Sequence, residues 1–207
     1  MQKRTAMLCA IGMTAMTAFA KPYAIFHTEK GDIVAELFAD KAPKTVENFI
    51  GLAKGTKTWT HPGTHEVMTS RPLYSNTKFH RTIPGFMIQG GDPMGSGMGG
   101  PGYTIKDEFN ELPYDRPGRL AMAHTMQPNS GGSQFFITVA PYPSLNEKYT
   151  LFGQVVSGQD IADAISNMPS EPGGGKALNP VTLKSVEIVD QWPVGGGAKG
   201  AATSGTK

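Results

Sequence analysis

Turn-forming residues punctuate this chain along its whole length: 26 of its 207 residues are glycine and 16 are proline, about 20% against a background near ~12%. Each proline removes a backbone donor and each glycine weakens a regular segment, so long helices are interrupted wherever they could start. A coiled coil or helical bundle is therefore excluded. The proportion still lies below the ~25–30% typical of unstructured low-complexity chains. The chain must fold from short elements joined by many tight turns, and its length fits one domain or at most two small ones.

The apolar pattern agrees. Residues 23–27 and 32–38 flank Glu29-Lys30-Gly31, and Ile33, Ala35 and Leu37 recur with period two. This predicts a hairpin. Pro43 can open a helix that carries Val46, Phe49, Ile50 and Ala53 on one face and stops at Gly55, in keeping with proline at the first helical position and glycine after the last. Ile161, Ala164, Ile165 and Met168 repeat that helical spacing. Short apolar runs at 86–89, 120–123, 134–139 and 151–156 read as strands, and 181–189 as a last strand with a phase slip near Ser185 that a bulge would explain. The expected class is mainly β, a barrel or sandwich with helices packed over its openings. No internal repeat is present.

The two ends read differently from the middle. Lys3 and Arg4 precede an uncharged, mostly apolar run, 6–19, and Ala18-Phe19-Ala20 ends it. A positive start, a short apolar stretch and a small-x-small ending make a secretory signal peptide over residues 1–20, with cleavage expected after Ala20. The run is too short to span a bilayer, so no membrane association is expected after its removal. Cleavage would also remove Cys9, the one cysteine. The mature chain would have no disulfide, no thiolate nucleophile and no cysteine zinc site. The expected location is the periplasm, with the extracellular medium as the alternative. Residues 191–207 are rich in Gly, Ala, Ser, Thr and Lys and read as a disordered tail. A formal charge of only +2 gives no basic field for nucleic acid. A mature chain with balanced charge and no helical seam reads as a monomer.

Four stretches could carry chemistry. Gly95-Ser96-Gly97-Met98-Gly99-Gly100 has the dinucleotide spacing, but that motif needs a helix opening at its last glycine, and Pro101-Gly102 follows instead. A flexible surface loop is expected there. His61 and His65, with Glu66, invite a metal, but Pro62-Gly63 between them breaks the helix that would align the imidazoles. No metal site is expected. Ser133 lies in Gly131-Gly132-Ser133-Gln134-Phe135, which is not a nucleophile elbow, and nothing in the chain pairs it with His124. The fourth stretch, 79–92, places Arg81 beside a dense apolar strand with Phe86, Met87 and Gln89. One guanidinium and one amide at the edge of an apolar pocket suit a neutral ligand with an apolar ring and a carbonyl.

The same stretch, Phe79-His80-Arg81-Thr82-Ile83-Pro84-Gly85-Phe86-Met87-Ile88-Gln89-Gly90-Gly91-Asp92, resembles the signature of the cyclophilins, the peptidyl-prolyl cis–trans isomerases. Leu120-Ala121-Met122-Ala123 with Gly132-Ser133-Gln134-Phe135-Phe136-Ile137 resembles a second family block, and Leu145 with Leu151-Phe152-Gly153-Gln154-Val155 a third. The blocks keep the family's order and spacing over roughly 23–189, and the long 56–71 connection and the 95–102 loop resemble those of a bacterial exported subgroup.

The resemblance implies a closed, eight-stranded antiparallel β-barrel capped by two α-helices, with the isomerase domain over 21–190. It implies a catalytic role for Arg81. It places Phe86, Met87, Phe136 and Leu145 around the proline ring, Gln89 beneath the arginine and substrate, and Gln134 as a further polar contact. Ala123 and His124 match the edge that pairs with the peptide backbone. The chain departs from the family at His124, where Asn is frequent, at Ser144, where many members carry a cyclosporin-binding Trp, and at Tyr149, where many carry a His. Ser144 leaves room for weak cyclosporin binding only, while Tyr149 keeps an aromatic wall. The implied activity is isomerisation of X–Pro bonds in unfolded or exported polypeptides, with no cofactor. The competing reading is a proline-peptide binding module or holdase with little catalysis.

Overall fold

The computed structural model describes residues 21–192; the signal-peptide reading and nearly all of the C-terminal tail lie outside the described residues. The expected hairpin forms from β1 (Tyr23–Thr28) and β2 (Gly31–Leu37). Its turn is fixed by the Thr28 hydroxyl, which donates to Gly31 O at 2.6 Å and accepts from Lys30 N–H at 3.0 Å. The period-two residues Ile33, Ala35 and Leu37 all reach the core.

Helix α1 (Pro43–Lys54) runs from its proline to a left-handed Gly55, φ 72°. Ala42 supplies no cap, and the first turn is satisfied from a distance: the Glu108 carboxylate accepts from Lys44 N–H (3.1 Å), Thr45 N–H (2.7 Å) and the Thr45 hydroxyl (2.8 Å). A carboxylate at a helix N-terminus serves both the unpaired donors and the helix dipole. Val46, Phe49, Leu52 and Ala53 face the core.

The 56–71 connection contains a small hairpin, β3 (Trp59–Thr60) with β4 (Val67–Met68), paired only with itself. Then follow β5 (Thr77–Lys78), β6 (Arg81–Ile83), β7 (Met87–Gly90), β8 (Arg119–Met122), β9 (Phe135–Thr138), β10 (Leu151–Ser157), α2 (Gln159–Ser166) and β11 (Thr182–Val189). Helix α2 buries Ala162 and Ile165, and the expected Ile161 and Met168 (just past its end) pack half-buried on the core; of the expected face only Ala164 is exposed. The slip near Ser185 is a bulge: His27 pairs with Ser185 but Thr28 with Leu183.

The strands form one nine-stranded antiparallel sheet in the order β5-β11-β1-β2-β10-β8-β9-β7-β6. The mainly β, two-helix class stands. Eight strands in a closed barrel are not what the pairing shows. The two edge strands, β5 and β6, have only two and three residues and are not paired with each other. A single bridge, Lys78 to Asp92, links that end of the sheet.

Candidate active site

Strands β6 to β10 decide where the chemistry sits. Antiparallel register pairs Arg81 with Gln89, Gln89 with Phe136, Phe136 with Ala121, and Ala121 with Leu151. Directly paired residues point to the same face of a sheet. Five strands therefore place a guanidinium, an amide and three apolar side chains in one row. The intervening residues Ile88, Phe135, Ile137, Leu120 and Met122 point the other way, into the main core. Both faces are covered, which is why every residue of β8 and β9 is buried.

The row's own face carries a second apolar cluster: Met87, Tyr114, Ala121, Phe136 and Leu151 are buried, and Phe86, Leu145, Tyr149 and Ala123 pack around them half-buried. The structure thus gathers the pocket residues expected from the sequence. Tyr149 stands edge-on to Phe136, centroids 5.4 Å apart at 90°, and Tyr114 stacks on the other side at 6.4 Å. Tyr114, which no sequence motif singles out, also donates its hydroxyl to Tyr149 O at 3.2 Å and so holds that wall. Phe86 packs on Tyr142 at 4.2 Å. Ser144 sits exposed in the single 3-10 turn Pro143–Leu145, beside the half-buried Leu145.

At the polar end of the row the hydrogen bonds form a chain. Arg81 Nε–H donates to Gly174 O at 2.9 Å, and Nη1–H to Gln89 Oε1 at 3.3 Å. Gln89 Nε2–H donates to Gln134 Oε1 at 2.9 Å, and Gln134 Nε2–H donates to Gly97 O and Gly99 O at 3.0 and 2.8 Å. Guanidinium has five N–H donors in a fixed plane; these two bonds hold it to the protein. The Gly174 contact is not readable from the sequence, since it comes from a turn far along the chain.

His124 and Ala123 form the far edge. The Ala123 N–H is committed to Gln134 O at 2.9 Å, so a peptide pairing there would use its carbonyl. The His124 ring stacks on Tyr149 at 4.4 Å, with Nδ1 2.6 Å from Thr125 O and Nε2 2.8 Å from Lys148 O. A neutral imidazole donates through one nitrogen only, so both contacts are hydrogen bonds when the ring is protonated. His124 acts as a brace between two loops rather than as a free hydrogen-bonding edge.

A groove of about 500 Å³ continues from Gln89 and Gln134 between the 97–104 loop and residues 123–125, with Pro62 of the small hairpin on its rim. A larger, more apolar cavity of about 740 Å³ lies near Lys21, Phe38 and Leu112. Its charged lining residues, Lys21, Glu36, Asp40 and Lys41, include the Lys21–Glu36 ion pair, and neither Arg81, Gln89 nor Gln134 reaches it, so size does not mark the site here.

The remaining candidates have structural tasks. Ser133 is buried and donates its hydroxyl to Gly91 O at 2.6 Å. His61 Nδ1 accepts from Gly63 N–H and Thr64 N–H, both at 3.2 Å, stabilising the tip of the small hairpin. The 95–102 loop, expected to be loose, is wound tightly around the buried Asp92.

The family model described as cyclophilin type peptidyl-prolyl cis-trans isomerase/CLD matches residues 23–188. Peptidyl-prolyl cis-trans isomerase B of Streptomyces anulatus is 48% identical over 169 residues, 80% of this chain and 95% of that protein. Peptidyl-prolyl cis-trans isomerase A of Mycobacterium tuberculosis is 48% identical over 168 residues, 80% of this chain and 91% of its own. Among solved structures, a cyclophilin type peptidyl-prolyl cis-trans isomerase of Cryptosporidium parvum superposes with a TM-score of 0.70 at 36% identity, covering 82% of this chain and 98% of that one. The same protein crystallised in the presence of the dipeptide Ala-Pro gives 0.69 at 37% identity, covering 81% and 98%.

Proposed function

The chain belongs to the cyclophilin-type peptidyl-prolyl cis–trans isomerase family, and from that premise we propose how it catalyses the reaction and where it works. It is a peptidyl-prolyl cis–trans isomerase; the assignment of roles to its residues is our reading. Rotation about an X–Pro bond faces a barrier of ~18–20 kcal/mol and takes tens to hundreds of seconds unaided. In the twisted transition state the amide loses resonance and the prolyl nitrogen becomes pyramidal, gaining a usable lone pair. A guanidinium donor placed there binds the transition state more tightly than either planar isomer, which is the condition for acceleration.

Arg81 fills that role in our reading. A guanidinium presents its donors in a rigid plane, and here that plane is held by Gly174 O and Gln89 Oε1 with donors to spare. Phe86, Met87, Phe136, Leu145 and Tyr149 grip the proline ring while the rest of the peptide rotates. Gln89 and Gln134 keep the arginine in register, and Ala123 and His124 border the peptide. No nucleophile or acid is needed. The observation that carries this reading is the Arg81–Gln89–Phe136–Ala121 row set by strand register.

The test is the isomerisation rate of a short X–Pro peptide. Arg81→Ala should lose about 10²–10³-fold in turnover, the size expected for a transition-state donor. Arg81→Lys should fail to rescue it, because a point charge does not keep the planar donor set. Peptide binding without faster exchange between isomers in the parent would instead favour the binding-module reading.

For context, the 1–20 segment supports export, with folding of exported, proline-containing polypeptides as the task, in the periplasm or the medium, by a monomer. N-terminal sequencing of the protein from the cell envelope should begin at Lys21; an intact Met1 would overturn the export reading. Ser144 supports weak cyclosporin binding, which Ser144→Trp should strengthen.

A further inference from the structure

The loop after β7 has no part in the chemistry above, yet its backbone is organised around a single side chain. Asp92 is fully buried. Its Oδ2 accepts from the N–H groups of Ser96 (2.9 Å), Gly97 (2.6 Å) and Gly99 (3.1 Å) and from the Ser96 hydroxyl (3.0 Å), while Oδ1 accepts from Met94 N–H at 2.7 Å. Successive N–H groups converging on one anion form a nest. Here the anion belongs to the chain itself. The winding depends on glycine: Gly97 has φ +84°, and a Cβ at Gly99 would collide with the Asp92 carboxylate. Burial pushes the Asp92 carboxyl up, and the N–H donors of Met94, Gly99 and Gly97 together with the Ser96 hydroxyl outweigh it and hold it below its ordinary value.

Because the loop's N–H groups turn inward to the carboxylate, the carbonyls of Gly97 and Gly99 are free to meet Gln134 Nε2. That contact has a direction. Two carbonyls can be met only by the NH2 end of the Gln134 amide, so its oxygen faces Gln89. Gln89 must then offer its own NH2, and its oxygen faces Arg81. Release of the loop carbonyls would let both amides turn over, placing an NH2 group against the guanidinium.

We propose that Asp92 is a positioning residue for the isomerase reaction: by winding the 93–100 loop around its carboxylate it sets the polarity of the Gln134–Gln89 chain and, through it, the orientation of Arg81. The inference rests on the assignment of Arg81 made above. The proline-pocket side chains form a cluster to which no residue of this loop belongs, so the effect should fall on turnover rather than on binding of a short substrate.

The deciding experiment is a double-mutant cycle of Asp92→Asn and Gln134→Leu, assayed on a short X–Pro peptide with Arg81→Ala alongside. Asp92→Asn should reduce kcat about tenfold through misplacement of the donor, with KM changed by less than about twofold. In the Gln134→Leu background the same change should cost less than about twofold, because the chain it acts through is already cut. The side-chain NH2 resonances of Gln89 and Gln134 should shift in Asp92→Asn, a response that general loss of stability would not produce in a folded sample. A folded Asp92→Asn with unchanged kcat, or an equal loss in both backgrounds, overturns the proposal. If Asp92→Asn does not fold, Ser96→Ala takes its place, removing the hydroxyl's bond to the Asp92 carboxylate and the one it accepts from Met98 N–H: a loss of roughly two- to threefold that vanishes with Gln134→Leu supports the proposal, and a loss that persists overturns it. Full activity in Arg81→Ala would sink the Arg81 assignment and this inference with it. Activity lost in Arg81→Ala but kept in Asp92→Asn would sink the inference alone.

Discussion

Strands β7, β8 and β9 have two buried faces that do opposite things. On the inner face Ile88, Leu120, Met122, Phe135 and Ile137 join a core in which Phe135 meets Phe26, Phe49, Tyr74 and Phe79 at centroid distances of 5.2, 5.9, 5.7 and 6.2 Å. Helices α1 and α2, strands β1, β2, β10 and β11, the β3–β4 hairpin and the 73–79 segment all add buried side chains to that core. On the outer face Met87, Ala121 and Phe136 have only Tyr114, Leu151 and a rim of half-buried side chains around them. The same backbone thus supports a closed packing problem on one side and an unfinished one on the other, with Arg81 and Gln89 at its margin. An apolar surface left incompletely covered beside a held guanidinium is what the proposed proline site requires. Neighbouring residues in sequence, Phe135 and Phe136, belong to different tasks because a strand alternates its side chains.

Truncating these two neighbours tests the comparison with the largest effects. Phe135→Ala should cost about 3–5 kcal/mol in chemical denaturation, since the inner core cannot collapse around the void. Phe136→Ala should cost no more than about 2 kcal/mol but raise the peptide KM severalfold or more. Equal stability losses with unchanged KM in Phe136→Ala would show that the faces do not differ in purpose.

The next effect is one of pH. His80, in the link between β5 and β6, is buried with both ring nitrogens unpartnered, and burial lowers its pKa from the ordinary 6.5, with Asp92 opposing. The unfolded chain therefore binds the proton first. Stability should be whole above pH ~6.5 and fall below it, towards the folded-state pKa, with a slope of at most about 1.4 kcal/mol per pH unit. Urea midpoints between pH 7.5 and 5 should show this decline, and His80→Gln should flatten it. A midpoint that rises on acidification would mean that the ring gains a partner on protonation.

The smallest effect concerns the helix that covers the inner face. Glu108→Ala removes the cap of α1 and should cost about 1 kcal/mol, with kcat and KM unchanged because α1 seals the inner face only. A change in turnover of more than about twofold would mean that the two faces are mechanically coupled.

Much of the fold was legible in the residues. Period-two alternation found β1 and β2, Pro43 and Gly55 bounded α1, and the slip at Ser185 was a bulge. The β3–β4 hairpin was not legible, because its two-residue strands carry no periodicity and His61 and His65 drew attention to metal chemistry instead. The winding of the 95–102 loop is hard to read from the residues for a related reason. Glycine density reads as looseness unless the acceptor it winds around is noticed, and Asp92 directly before the loop was the available signal, since aspartate commonly caps the backbone that follows it.

For the site, the chain's own letters determined which side chains were at hand: Arg81, Gln89, Gln134 and the apolar residues of the three blocks. They also determined that the segments carrying them would be extended, which follows from local periodicity and turn chemistry. Tertiary structure decided the rest. Register across five strands put Arg81, Gln89, Phe136, Ala121 and Leu151 in one row, and a slip of one residue would have turned each to the opposite face. Only the folded chain brings Gly174 O to Arg81, and the Gly97 and Gly99 carbonyls to Gln134, because a hydrogen bond's direction is set by which partner meets it, and those partners come from distant turns.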